Sequence, residues 1–556
     1  MSSCREVIEE FLYPHLERFT DMVYQGGEDT EFMGIRVMDD DSRFTHGALV
    51  CGACILFAHY RRTNDPRADI ARERLCKFIE IAASGVCKTW GKLGILRGFN
   101  LLSERGLISE IPTELVDAIK EKTDYSDFFD KDTMTLRNMA TNYLQVAMAC
   151  AGYRERLGWE NDGVSAKISE MLVGVLQKSA DGWMDDEIPY GRYDRYSFIL
   201  TSEFADTVAD IGLSLPETVR KNLSLSAENM LFMANGRGDC ILYGRSVACH
   251  GDAVGEEVLA SALAHGLIGE GEKALALSYI HAVLEKIVGF WYDSEKASFN
   301  IWFDGRSTNI YRSVARVLEV NIDMSIHLFT TLKNLERAGV ADKNVDVVIP
   351  RPTSWEARKV TFSKDEKSER SVVVLRRGDR IMFIPFVGLG SFWGRRVAYY
   401  PFPVMAGVIE ASPTAQYPFM IPEYIDADGN MYRPCQYFSE VSFECENDTV
   451  TVIADGYLSL FDGNTPKMTS IPFRHTVKIE GDRIEMMTEC DGKFDFARTF
   501  FGACDEGVKI EPIGYENIKN NAPSSDTDGI HKSIGGFLEC DARKTQALGC
   551  RIHIRL

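Results

Sequence analysis

Residues 371–384 run Ser371-Val372-Val373-Val374-Leu375-Arg376-Arg377-Gly378-Asp379-Arg380-Ile381-Met382-Phe383-Ile384. Two apolar, β-prone runs flank the turn residues Arg377-Gly378-Asp379, which is the pattern of strand, turn, strand. The texture continues downstream in Thr449-Val450-Thr451-Val452-Ile453 and Thr476-Val477-Lys478-Ile479. Glu480-Gly481-Asp482 then turns into Arg483-Ile484-Glu485-Met486, and Arg551 to Leu556 alternates like a closing strand. Repeated hairpins of this kind predict an antiparallel β-sandwich over residues 345–556.

Upstream of the hairpin the period changes. Apolar residues recur every three or four positions in 5–22, 46–61, 68–84, 134–156, 161–178, 196–213, 216–233, 253–268, 271–290 and 311–337, the spacing of amphipathic helices. Short connectors such as Asn64-Asp65-Pro66 and Leu215-Pro216 separate them. Ten or more helices in consecutive hairpins, without a strict repeat, suit an (α/α)-toroid over residues 1–340. In such a fold an inner ring of helices packs inside an outer ring. An irregular α-solenoid is the alternative. The segment 338–350 reads as the linker.

The 556 residues are too many for one ordinary core, in keeping with two large parts. With 45% hydrophobic and 26% charged residues the mixture is globular. Lys plus Arg number 62 and Asp plus Glu 82, a formal charge of −20, which argues against nucleic acid as a partner. An anionic ligand would need a local arginine cluster to overcome that field. The N-terminal residues lack the pattern of a signal peptide, and no run of 18 apolar residues predicts a membrane span. Fourteen scattered cysteines then read as reduced thiols, so a cytoplasmic location is expected. Cys51-Gly52-Ala53-Cys54 is a C-x-x-C inside an apolar helix and reads as small buried residues. No P-loop or dinucleotide fingerprint occurs, and neither a cofactor nor a metal is expected.

Three stretches at helix junctions carry candidate chemistry. The first is Arg137-Asn138-Met139-Ala140-Thr141-Asn142-Tyr143, whose asparagines either bond a ligand carboxylate or cap a helix. The second is Asp181-Gly182-Trp183-Met184-Asp185-Asp186-Glu187, then Tyr190-Gly191-Arg192-Tyr193-Asp194-Arg195-Tyr196. Its aromatics suit sugar faces, its arginines suit carboxylates, and a tyrosine can transfer protons; its plain alternative is a loop pinned by ion pairs. The third runs through Gly236-Arg237-Gly238-Asp239, Tyr243-Gly244-Arg245-Ser246 and His250-Gly251-Asp252, where Arg245 is a fixed cation or a structural cap. Trp393, in Phe392-Trp393-Gly394-Arg395-Arg396, and Tyr399-Tyr400-Pro401-Phe402-Pro403 suit an interdomain contact or a reach into the cleft.

The order of these stretches resembles the toroid polysaccharide lyases of the hyaluronate, chondroitin and heparinase type. It also resembles an uncharacterised bacterial family of toroid-plus-β proteins. In the lyases an Asn precedes an aromatic residue, an Asp-Gly segment leads to a catalytic His and Tyr, and an Arg sits in a Gly-Arg-Ser turn. The matching positions are Asn142-Tyr143, Asp181-Gly182 through Tyr196, and Gly244-Arg245-Ser246. The family's His falls at Glu187, so His250 or His46 would have to replace it in space. The resemblance implies β-elimination on an acidic, uronate-containing oligo- or polysaccharide. Asn142 would neutralise the substrate carboxylate and Tyr196 would take the C5 proton and return it to the leaving oxygen, with Arg245 favouring the phenolate. Trp183, Tyr190, Arg192, Tyr193, Tyr243 and Trp393 would then bind the sugar. Asp185, Asp186, Glu187 and Asp194 leave open a hydrolase with a carboxylate acid/base pair. A glycan-binding protein without catalysis is the third reading.

Overall fold

The computed structural model describes residues 2–38, 44–137, 139–179, 181–184, 195–244, 246–302, 314–365, 368–388, 399–410, 418–462, 466–505, 507–521 and 537–554. Among them the residues up to 337 are mainly helical, with three small two-stranded hairpins, and the rest are mainly strands. Helices α1 (Cys4–Gly26), α2 (Thr45–Thr63), α3 (Ala68–Ser84), α4 (Thr89–Glu104), α5 (Thr113–Lys122) and α6 (Asn142–Arg156) come first. They are followed by α7 (Val164–Leu176), α8 (Arg195–Asp210), α9 (Glu217–Met233), α10 (Cys249–Ala264), α11 (Lys273–Lys286) and α12 (Val317–Arg337).

The packing alternates along the chain. α2 packs on α4, α4 on α6, α6 on α8, α8 on α10, α10 on α12, and α12 returns to α2. The even-numbered helices therefore close a ring of neighbours. The odd-numbered ones lie against them: α1 on α12 and α2, α3 on α2, α7 on α6, α9 on α8 and α10, and α11 on α10. α1 shows why one sequence makes one such helix. Ser3 Oγ accepts from the amide of Glu6 while the Glu6 carboxylate accepts from the amide of Ser3, a capping box. Ile8, Leu12, Leu16, Phe19 and Val23 then form a fully buried stripe.

The ends of the helical part are joined. Arg5 Nε bonds Asp342 Oδ1 at 2.6 Å and its Nη1 bonds Glu336 Oε1 at 2.7 Å. The Arg5 amide donates to the carbonyl of Ala341 at 3.1 Å, and Ser3 forms a β-bridge with Asn344.

Helices α4 and α5 are additions to the sequence reading, and the 134–156 helix begins only at Asn142. Residues 129–136 instead form the small hairpin of Phe129–Asp130 with Thr135–Leu136. α4 carries Gly91, Gly94 and Gly98, poor helix formers that hide its period. Their role is close approach: a Cβ on Gly47 of α2 would meet the Gly91 carbonyl oxygen at 1.9 Å, and one on Gly98 would meet Cys54 Sγ at 2.9 Å. Cys51 and Cys54 belong to this tight seam. Burial pushes the Cys51 thiol up to about 12 and that of Cys54 well above its ordinary value, so both are inert packing groups. All fourteen cysteines are free thiols.

One helical stretch, Lys273–Trp291, is long and apolar enough to cross a membrane. In this fold 56% of its apolar window is buried, packed on α10 and α1.

Among the described residues thirteen strands follow. Three of them, Glu356–Lys364, Glu369–Arg377 and Arg380–Phe386, form a meander, and the 371–384 hairpin turns at Gly378-Asp379 with Arg377 opposite Arg380. The long strands Met431–Glu446, Thr449–Leu460, Lys467–Glu480 and Arg483–Cys490 pair in sequence, and Ala547–His553 adds to the last of them. The meander joins the long strands where Glu369 pairs with Phe438. The strand pairing is antiparallel and links all thirteen into one branched sheet, where the sequence pattern suggested two packed sheets. Register shifts between Arg433 and Tyr437 and between Phe438 and Glu440 bend the longest strand at this junction.

Candidate functional site

The N-terminal halves of four even-numbered helices, α2, α4, α8 and α12, share a cavity. Phe44 and Ala48 of the α2 end, Trp90 and Gly94 of α4, Arg195 and Tyr196 of α8, and Arg316, Glu319 and Asp323 of the α12 end line it, with Arg97, Glu203 and His327 deeper. It encloses about 620 Å³, counting space open to solvent. A second cavity continues along the same helices towards Asp210, Lys333 and Arg337, sharing Arg97, Glu203 and His327.

Tyr196 stands on the wall of the first cavity. Its ring lies 5.5 Å from that of Trp90, tilted by 31°, and the Arg195 guanidinium is 5.9 Å from its centroid. Behind it lies a chain of charged groups. His250 Nε2 is 3.1 Å from Asp323 Oδ2, which is 3.5 Å from His327 Nε2. His327 Nδ1 is 2.8 Å from Glu257 Oε1, and that oxygen also accepts from Arg195 Nη2 at 3.2 Å. Arg195 Nε donates to the carbonyl of His250 at 3.1 Å, tying the start of α8 to that of α10.

The electrostatics follow from this chain. Burial works against charge on His327, but Glu257 and Asp323 outweigh it and raise the imidazole to about 9. Burial likewise opposes the Asp323 carboxylate, and His327 and His250 more than offset it, holding it well below the usual range. Glu203 is different: burial raises it, and Arg97, 3.6 Å away, and Arg195 offset that only in part.

Of the sequence-predicted residues, Tyr196 and His250 come together here through Asp323. Asn142 opens α6 but is buried and is not among the side chains lining the cavity. Glu187, Tyr190, Arg192, Tyr193, Arg245 and Trp393 lie outside the described residues, as do Asn138, Asp185, Asp186 and Asp194. His46 is structural: its Nδ1 meets the carbonyl of Val86 at 2.9 Å.

Two predicted sugar-binding residues are corrected. Trp183 is 0% exposed and packs between Phe198 of α8 and Phe362 of the sheet. Tyr243 is 1% exposed, against Phe198 and Phe383. An aromatic stacks on a sugar only through an accessible face, and these faces are spent between the helices and the sheet. Their neighbours do the same work. Asp181 accepts from the Thr361 amide at 2.7 Å, Arg358 donates to Asn229 at 3.1 Å, and Asp379 accepts from the Gly236 amide at 3.0 Å. Tyr399, Tyr400 and Phe402 are buried too. Arg433 donates to the Tyr400 hydroxyl, and Phe402 packs edge-on to Phe419.

The Gly236–Asp252 stretch is a scaffold. Lys286 Nζ lies 2.6 Å from Asp239 Oδ1 and 2.7 Å from Asp252 Oδ2, which also accepts from Trp291 Nε1 at 2.7 Å. The Cys240 amide donates to Asp252 Oδ1 at 2.9 Å. Ser246 and Ala248 hold positive φ of 60° and 63° just before α10, a costly backbone for residues with a Cβ. The network fixes that turn and so aims His250.

Sequence reasoning missed Trp90, Arg97, Glu203, Glu257, Asp323 and His327. Asp323 and His327 carried a signal: an acid and a histidine four residues apart share one face of a helix. Glu256-Glu257 inside the apolar α10 carried another.

No protein-family model matches the chain, and no curated protein matches it significantly in sequence. Similar solved structures include the chondroitin AC lyase of Streptomyces coelicolor A3 in complex with chondroitin sulphate. It is 10% identical with a TM-score of 0.49, over 98% of this chain and 79% of that one. Heparinase III is 10% identical with a TM-score of 0.47, over 97% of this chain and 84% of that one. A possible member of the GH105 family from Salmonella enterica is 11% identical with a TM-score of 0.38, over 57% of this chain and 93% of that one.

Proposed function

We propose that the chain is a lyase that cleaves a uronate-containing oligo- or polysaccharide by β-elimination, with Tyr196 as base and acid. On this reading residues 1–340 form an α/α-toroid that carries the site and residues 345–556 a β domain docked on it. The observation that carries the proposal is the placement of Tyr196 in one cavity with Arg195, Asp323 and His327. Elimination needs two things there. A base must take the proton at C5, and positive charge must quiet the neighbouring carboxylate so that the proton becomes acidic. Tyr196 stands at the cavity wall and, as its phenolate, can take that proton. Arg195, His327 and the first turns of several helices bring positive potential to the same space. The tyrosine that has taken the proton can hand it to the departing O4, leaving a C4–C5 double bond.

A second reading is favoured by one observation. Glu203, Glu319 and Asp323 line the same cavity, and burial keeps Glu203 inclined to hold its proton. A protonated and an ionised carboxyl are the parts of a glycoside hydrolase. Incubation with a panel of uronic-acid polymers and oligomers decides between them. A lyase produces absorbance from unsaturated uronate in step with new reducing ends. New reducing ends without that absorbance would overturn the lyase reading in favour of the hydrolase.

A further inference from the structure

Among the described residues one group can hold a metal ion: His250, Asp323 and His327. Their ligand atoms lie within 4.8 Å of one another, with 3.1 Å from His250 Nε2 to Asp323 Oδ2 and 3.5 Å from there to His327 Nε2. Metal–nitrogen and metal–oxygen bonds of about 2.0–2.1 Å in a tetrahedron put neighbouring donors about 3.3 Å apart. The two measured separations bracket that value. The two histidines come from different helices, α10 and α12, and their rings stand at 87° to each other, so both point at Asp323 from separate directions.

A second, independent feature is the support behind the ligands. His327 turns its other ring nitrogen to Glu257 at 2.8 Å, and His250 turns its own to Cys249 Sγ at 3.4 Å. A carboxylate behind a histidine fixes the tautomer and ring orientation that metal ligation requires. Glu257 is itself held by Arg195 at 3.2 Å. Arg195 Nη2 also comes within 3.0 Å of His327 Nε2; with an ion bound that contact gives way, and Arg195 keeps Glu257 and the His250 carbonyl. Asp323 and His327 line the cavity, whereas His250 is fully buried behind them.

The geometry points to a binding site for a divalent d-block cation on His250, Asp323 and His327, with its open coordination position facing the Tyr196 cavity. Two imidazoles and one carboxylate suit zinc, cobalt, manganese or ferrous ions and disfavour calcium and magnesium, which take oxygen ligands. The site stands on ligand geometry alone. Its role, drawing in and neutralising a uronate carboxylate beside Tyr196, rests on the lyase reading above.

The test uses the full chain, stripped with chelator and titrated with Co²⁺, whose visible bands report the ligand field, and then with Zn²⁺ as competitor. The expected result is one equivalent of Co²⁺ with bands of four- or five-coordinate metal, displaced by Zn²⁺. Asp323→Asn, at the least buried ligand, and His250→Gln should each weaken binding by tenfold or more, with unchanged circular dichroism. Glu257→Gln should weaken it about 10–100-fold while leaving the ligand-field bands in place. Wild-type protein that takes up no Co²⁺ or Zn²⁺, or that binds no more tightly than folded Asp323→Asn, overturns the site. Elimination is scored separately. An ion bound as expected with no elimination on any uronate polymer overturns the lyase reading and leaves the site standing. Full elimination by metal-free protein overturns the ion's role.

Discussion

The Asp181 carboxylate accepts a hydrogen bond from the backbone amide of Thr361, 180 residues away, at 2.7 Å. It joins the segment before α8 to the first strand of the large sheet, beside Trp183 and Phe362. Asp181→Ala removes the acceptor from a strand-edge amide, a loss of about 1–3 kcal/mol. Asp181→Asn keeps an acceptor oxygen and should stay near wild type. Thermal unfolding of the two variants checks this; equal melting temperatures for Asp181→Ala and wild type would refute it.

Cutting the chain near residue 345 strips that contact and uncovers Trp183, Phe198 and Tyr243. The helical fragment is therefore expected to aggregate or to melt well below the full chain. Size-exclusion chromatography and a melting curve read the outcome. A monomeric, fully active fragment would show that the sheet is dispensable to both folding and site.

Tyr196→Phe keeps the ring against Trp90 and deletes only the phenolic oxygen. Turnover should fall by about 10²–10⁴ while substrate binding, measured by calorimetry, changes little. Turnover like that of wild type would exclude Tyr196 as the base.

Lys286 is the one cation that an ion pair places between Asp239 and Asp252 among the described residues, with both carboxylates almost fully buried. Lys286→Met leaves the buried Asp252 carboxylate without its ion pair and Asp239 with Arg237 alone, 3.0 Å away. The expected loss is about 3–5 kcal/mol, seen as a large drop in melting temperature or in soluble yield. The same variant should loosen the turn that aims His250.

Acid should weaken the fold through histidines that are buried in the neutral form. His475 is buried, with Nδ1 2.9 Å from Thr488 Oγ1, and burial lowers it to about 4; burial lowers His15 to about 3. The unfolded chain binds these protons near pH 6.5 and the folded chain does not. Their stabilising contribution is complete above that pH, declines as pH falls towards 4, and is constant below the folded values. Melting temperatures at pH 7, 6 and 5 should drop, and His475→Gln, which does not titrate, should drop less steeply. Identical slopes would sink this assignment.

The sequence disclosed the parts whose pattern is local. Strand alternation from 371 to 384 and helical periods such as that of α1 depend on neighbours in sequence, and both appear where the residues put them. α4 stayed hidden because its glycines answer to α2, a contact that no local pattern shows. The site divides in the same way. Tyr196 and His250 were legible as chemistry-bearing residues at helix starts. Glu203, Glu257 and His327 sit mid-helix in apolar surroundings, and only the ring of packing turns them inward together. Trp183 and Tyr243 misled because an aromatic suited to sugar is equally suited to an interface, and composition alone does not tell a wet face from a dry one.

Arg5, with Ser3 beside it, clasps the chain some 337 positions downstream. Those partners do not exist until most of the helical part has been synthesised. During translation, the buried stripe of α1 therefore waits for α12, and the helices made in between cannot settle into their final circle. Contacts so distant along the chain slow folding and lengthen the time that apolar faces stand open. The molecule is thus expected to depend on chaperone protection until residue 344 has emerged from the ribosome.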